Sequence, residues 1–156
     1  MRTVNQWLAE YGESHRNPRN KVLHWICVPV IVWSIIGLLW SLPMPPGWRA
    51  LHPLVNWAVI WVLVALAYYA VLSIRLALGA AVAFLAMLWS IDLTDRPGWW
   101  PLWGISIGSF ALAWVGQFIG HAIEGKRPSF FKDVQFLLIG PLWLLADAYR
   151  RLGIRY

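Results

Sequence analysis

Cysteine and charge are what this chain has least of. Cys27 is its only cysteine, which rules out an intrachain disulfide and any CxxC metal or redox motif. Charged residues fill 13% of the 156 positions, about half the share usual in soluble domains. No linker rich in Ser, Gly or Pro divides the chain, so a single domain over residues 1–156 is expected. GxGxxG, Walker A, HExxH and GxSxG patterns are all missing, and with them the commonest nucleotide, zinc-protease and serine-hydrolase signatures. No lysine lies within the long apolar segments, which argues against Schiff-base chemistry. Those segments also lack the internal charged pairs of many ion-coupled transporters.

What is present is apolar. Hydrophobic residues make up 60% of the chain and the mean hydropathy is +0.57. A soluble protein of this length has too little interior to hide that much apolar surface. The reading is an all-α, polytopic membrane bundle. Val4 to Glu13 predicts a short amphipathic helix with Trp7, Leu8 and Tyr11 on one side, broken before the membrane by the stretch holding Pro18. Leu23 to Leu42 is twenty residues without a charge, long enough to cross about 30 Å of hydrocarbon. Pro29 lies inside it and is a candidate kink. After the Pro/Gly-rich loop Pro43–Pro53, further spans are expected over Leu54–Leu72, Leu76–Ile91 and about Pro101–Ile119. The third is short, and is either shallow or extended by a polar turn. Asp92–Pro97 reads as a loop. Gly140–Pro141 interrupts the last apolar stretch, Val134 to Ala148, whose fifteen residues cover only about 22 Å; an interfacial or re-entrant helix fits it better than a crossing. Eight tryptophans near span ends (Trp7, Trp25, Trp40, Trp48, Trp57, Trp99, Trp100 and Trp143) read as an aromatic belt.

The formal charge of +6 would suggest nucleic acid in a soluble chain. Here the basic residues flank apolar segments, and phospholipid headgroups are the expected partners. Four spans place Arg2, Arg16, Arg19, Lys21, Arg75, Lys126, Arg127, Lys132, Arg150, Arg151 and Arg155 on one side, leaving Arg49 and Arg96 on the other. That asymmetry predicts both termini in the cytoplasm, since five spans would weaken it. It suits a bacterial inner membrane, or the endoplasmic reticulum in a eukaryote. Residues 1–22 hold no apolar signal-peptide core, so the first span is expected to direct insertion itself.

Of the four histidines, His52 falls on the outer side by this count and reads as a surface residue. His24 opens the first span and His121 closes the fourth, at similar depth, and a turn through Pro18 could fold His15 back towards them. Gln117 and Glu124 share the helical face of His121 if that helix continues, and Gly116 and Gly120 offer small surfaces for close helix approach. Three imidazoles and a carboxylate at one membrane face could hold Fe(II) or Zn(II), leaving positions open for substrate. They could equally be independent headgroup contacts and helix caps. Asn17 and Asn20 could orient ligands or shape the turn around Pro18.

The stretch YGESHRNPRNKVLHWICVP, Tyr11 to Pro29, resembles the amino-terminal signature of the Mpo1-like family. QFIGHAIEGKRPSF, Gln117 to Phe130, resembles its second signature, and GPLWLL, Gly140 to Leu145, its closing segment. Fungal members act in the endoplasmic reticulum as Fe(II)-dependent dioxygenases that shorten 2-hydroxy fatty acids by one carbon. The resemblance therefore implies iron as cofactor, O₂ as co-substrate and 2-hydroxy fatty acids as ligands. It places the catalytic and metal-binding roles on His15, His24, His121 and Glu124, with Glu124 either a ligand or an outer base, and gives His52 none. Arg16, Arg19, Lys126 or Arg127 could attract the substrate carboxylate, or contact lipid phosphate. The residues alone leave two alternatives open, a zinc-dependent lipid hydrolase and a non-enzymatic scaffold or transporter. They do not fix the oligomeric state.

Overall fold

The computed structural model describes residues 2–48, 55–127 and 135–156, and among them six α-helices and no strand. His52, Arg49 and Lys132 lie outside the described residues. The helices are α1 (Val4–Gly12), α2 (Pro18–Ser41), α3 (Trp57–Leu72), α4 (Ile74–Asp95), α5 (Leu102–Glu124) and α6 (Phe136–Arg151). Three of them, α2, α4 and α5, are long and apolar enough to cross a membrane. At 16 residues, α3 spans about 24 Å.

Local chemistry sets the helix ends. Thr3 and Gln6 form a reciprocal capping box on α1. Pro18 opens a helix here rather than only breaking one: it stands in the first turn of α2, where its missing N–H costs nothing, and Asn17 caps that turn by accepting from the Arg19 amide. Ser73 alone joins α3 to α4, donating its N–H to the Tyr69 carbonyl and accepting the Leu76 amide on its hydroxyl. One expected loop and one expected interruption are helical instead. Asp92–Asp95 continue α4 as a polar turn, secured by the Thr94 hydroxyl on the Ser90 carbonyl and by an Arg96–Asp92 ion pair. Pro141 sits inside α6 without ending it. Only the hydrogen bond to the Leu137 carbonyl is given up, and burial of Leu142, Trp143 and Leu144 holds the helix on either side of the defect.

The tightest pairing is α2 against α5, and it is antiparallel: Asn20 lies against Gly120, Cys27 against Gly116 and Gly37 against Ser106. A Cβ at Gly120 would overlap the Asn20 side chain, so the two backbones approach as closely as glycine permits. The α4 helix packs on α2 through the Trp33 indole, which donates to Ser90 Oγ at 2.9 Å. The short helices close one end of the bundle. Trp7 and Tyr11 of α1 pack on Phe136 of α6, with ring centroids 5.3 and 6.0 Å apart. Further along α6, Tyr149 reaches the Arg75 carbonyl. Trp7 and Trp143 are thus core residues rather than members of an aromatic belt; each helix covers the apolar stripe of the other. Trp99 and Trp100, by contrast, stand exposed ahead of α5.

Candidate metal centre

Antiparallel packing of α2 and α5 puts His24, in the second turn of one, beside His121, in the last turn of the other. The segment between α1 and α2 then returns His15 to the same point. It leaves α1 through tight turns in which the Ser14 and His15 amides donate to the Tyr11 and Gly12 carbonyls. All three imidazoles are buried, with 1%, 1% and 5% exposure for His15, His24 and His121. One ring nitrogen from each lies within 4.8 Å of the others.

The hydrogen bonds fix which nitrogens are free. His15 Nδ1 lies 2.6 Å from the Tyr11 carbonyl and His24 Nδ1 lies 3.0 Å from the Asn20 carbonyl. A carbonyl can only accept, so in the neutral rings both Nδ1 atoms carry the proton and both Nε2 atoms present lone pairs. Those two Nε2 atoms face each other at 2.8 Å. Two acceptors at that separation repel unless a cation lies between or beside them. His121 Nδ1 is buried without a partner among the described residues, a rare condition for a polar atom. Burial pushes His15 down to about 4, because it penalises the charged form, so the ring is neutral at pH 7, the state that ligates metals. This donor set fits a divalent transition metal.

Glu124 stands beside this cluster with both carboxylate oxygens engaged in hydrogen bonds. Its Oε1 accepts from the Arg16 amide at 2.9 Å, and its Oε2 from the Asn17 amide at 2.8 Å and from Asn20 Nδ2 at 3.1 Å. The carboxylate thereby caps the exposed amides ahead of α2 and ties the turn carrying His15 to the end of α5. Asn20 also donates to the Ser14 carbonyl at 3.1 Å, so it holds the same turn from inside. Gly125, in the left-handed region at φ +70°, ends α5, and Lys126 donates to the Glu13 carbonyl at 2.8 Å.

Two ring partners of His15 were not singled out from sequence. The Tyr11 ring stacks on His15 with centroids 4.3 Å apart, and Trp143 packs beside both rings, 5.3 Å from His15 and 5.7 Å from Tyr11. The Tyr11 and Asn20 carbonyls each precede their histidine by four residues, a spacing that could have signalled the pairing. An apolar cavity of about 390 Å³ opens from His24 and His121. It runs between α2, α3, α5 and α6 past Val28, Ile31, Val32 and Ile35 to Trp61.

A family model described as "2-hydroxy-palmitic acid dioxygenase Mpo1-like" matches residues 1–152. The chain belongs to the Mpo1-like family. It is 28% identical over 153 residues to the protein named 2-hydroxy-palmitic acid dioxygenase MPO1 from Saccharomyces cerevisiae, an alignment covering 94% of this chain and 79% of the yeast protein. No solved structure matches. In this Mpo1-like chain, the two family signatures supply the segments that meet in the histidine cluster, and the closing signature supplies Trp143, the ring packed against His15.

Proposed function

We propose that this membrane protein is an Fe(II)-dependent dioxygenase that converts a 2-hydroxy fatty acid to the acid one carbon shorter. The observation that carries the reading is the pair of facing, unprotonated Nε2 atoms of His15 and His24, joined by the partnerless His121 Nδ1, at the head of an apolar cavity. The yeast relative's name supports the reaction class. His15 and His24 would hold iron through Nε2 and His121 through Nδ1. Bound iron would supply activation of O₂ for oxidative cleavage of the C1–C2 bond, giving the shortened acid, CO₂ and water.

The chain's own residues prepare that chemistry. The Tyr11 and Asn20 carbonyls fix the tautomers of His15 and His24, so the same nitrogen of each ring faces the ion. Glu124 acts as a positioning residue by holding the His15 turn on α5. The walls of Val28, Ile31, Val32 and Ile35 take the alkyl chain and exclude water from the reacting end. A fatty acid in a membrane already presents its head at the boundary and its tail to hydrocarbon, the order in which histidines and cavity are arranged.

The test is iron content and turnover of 2-hydroxyhexadecanoic acid, measured on detergent-solubilised protein with and without O₂. Wild type should hold about one iron and release the fifteen-carbon acid only with O₂. His24→Ala and His121→Ala should each lose most of the iron and all turnover. Wild-type iron and turnover in both variants would sink the assignment, and O₂-independent ester or amide cleavage with zinc would replace it.

A further inference from the structure

Gln117 is a buried carboxamide beside the histidine cluster. It lies one helical turn before His121 on α5, is 5% exposed and lines the apolar cavity. Its Nε2 is buried without a hydrogen-bond partner among the described residues. A donor left unmade in an apolar wall is costly, and a bound acceptor removes the cost. The surroundings define that acceptor. No Lys or Arg is among the described residues lining the cavity, so the head of an acid there meets no protein cation. Gln117 precedes His121 by four positions on α5, about 6 Å along the axis, so an oxygen-bearing headgroup at the histidines lies within reach of the amide. Beyond Gln117 the wall turns aliphatic, through Val28, Ile31, Val32 and Ile35.

We propose that Gln117 is the carboxylate anchor of this site, its Nε2–H donating to a carboxylate oxygen of the bound long-chain acid. The proposal rests on the reading of the cavity as the seat of an alkyl acid, and adds the residue that tells the acid from its neutral derivatives. An amide suits this better than a buried cation. It donates to the carboxylate without the cost of an unpaired charge when the cavity holds lipid or nothing. It also leaves the histidines as the sole sites for a metal.

The experiment uses full-length protein in detergent, with oxygen excluded so that binding is read without turnover, and metal content is measured on every sample. The probes are 2-hydroxyhexadecanoic acid, its methyl ester and hexadecanoic acid. In Gln117→Met, which keeps the length of the side chain, the acid-over-ester binding ratio should fall about tenfold, the scale of one hydrogen bond to a charged group, with metal content at the wild-type level. Gln117→Glu sets a second carboxylate at the headgroup and should favour the ester over the acid. If both variants keep the wild-type ratio, the proposal is overturned. Metal loss in step with weakened acid binding also overturns it, because Gln117 would then be a support for the histidines. The ratio of 2-hydroxy to unsubstituted acid tests the proposed reaction separately. A wild type that ignores the hydroxyl counts against that reaction, whereas the acid-over-ester ratio still decides the role of Gln117.

Discussion

At the level of single residues, the division of labour lies between groups free to bind and groups already bound. His15 and His24 turn their Nε2 atoms on each other and His121 Nδ1 has no partner among the described residues, whereas Glu124 is engaged by two backbone amides and Asn20. Replacing that carboxylate with an amide leaves one acceptor and turns a donor towards another donor. Glu124→Gln should therefore loosen the His15 turn and weaken metal binding about 10- to 100-fold without removing a ligand. Metal titration beside turnover checks this. Unchanged affinity with lost turnover would instead give the carboxylate a role in proton transfer. The histidines were legible in the sequence because span ends fix depth, and depth alone groups His24 with His121. Gln117 could be placed on the His121 face, but its missing partner could not be read, because that depends on what α2 and α6 bring opposite it.

Individual helices show where period and composition suffice and where they do not. The amphipathic pattern of Val4 to Glu13 and the long apolar runs of α2 and α5 correspond to helices at nearly the expected places. Gly140–Pro141 did not act as the break its residue types suggest, since tertiary packing outweighs one lost hydrogen bond. The close approach of α2 and α5 was signalled by Gly116 and Gly120, and it gives a clean comparison. A methyl at Gly120 collides with Asn20, which two hydrogen bonds hold in place; a methyl at Gly108 meets nothing within 4 Å. Gly120→Ala should cost roughly 1–3 kcal/mol by overpacking and lower metal occupancy, while Gly108→Ala should be neutral or slightly stabilising. Thermal midpoints in one detergent distinguish them, and equal midpoints would contradict the packing account.

Across the whole molecule, the start of α2, the Ser73 junction and the end of α5 gather at one end, where α6 bonds to the Arg75 carbonyl and the Tyr69 hydroxyl donates to the Leu138 carbonyl at 2.8 Å. Most of the basic residues belong to that end. If α3 crosses with the three longer helices, reporter fusions after Gly47 and Arg96 should read one side of the membrane, and those after Arg75 and Tyr156 the cytoplasm. A Tyr156 fusion on the side of Gly47 would refute this arrangement. The pairing of α1 with α6 was the least legible part, because two short amphipathic helices more than a hundred residues apart each look complete against a lipid surface. Its effect is to pack Tyr11 and Trp143 together against His15. The tie from Glu124 to the Arg16 and Asn17 amides also has a consequence for biosynthesis. Two imidazoles leave the ribosome early, but the third, and the carboxylate that holds the first in place, follow about a hundred residues later. The nascent chain thus carries no finished trap for a reactive ion while its helices are still being threaded into the bilayer. On the proposed metal assignment, loading would wait until α5 is seated, and an occupied centre would certify an assembled protein.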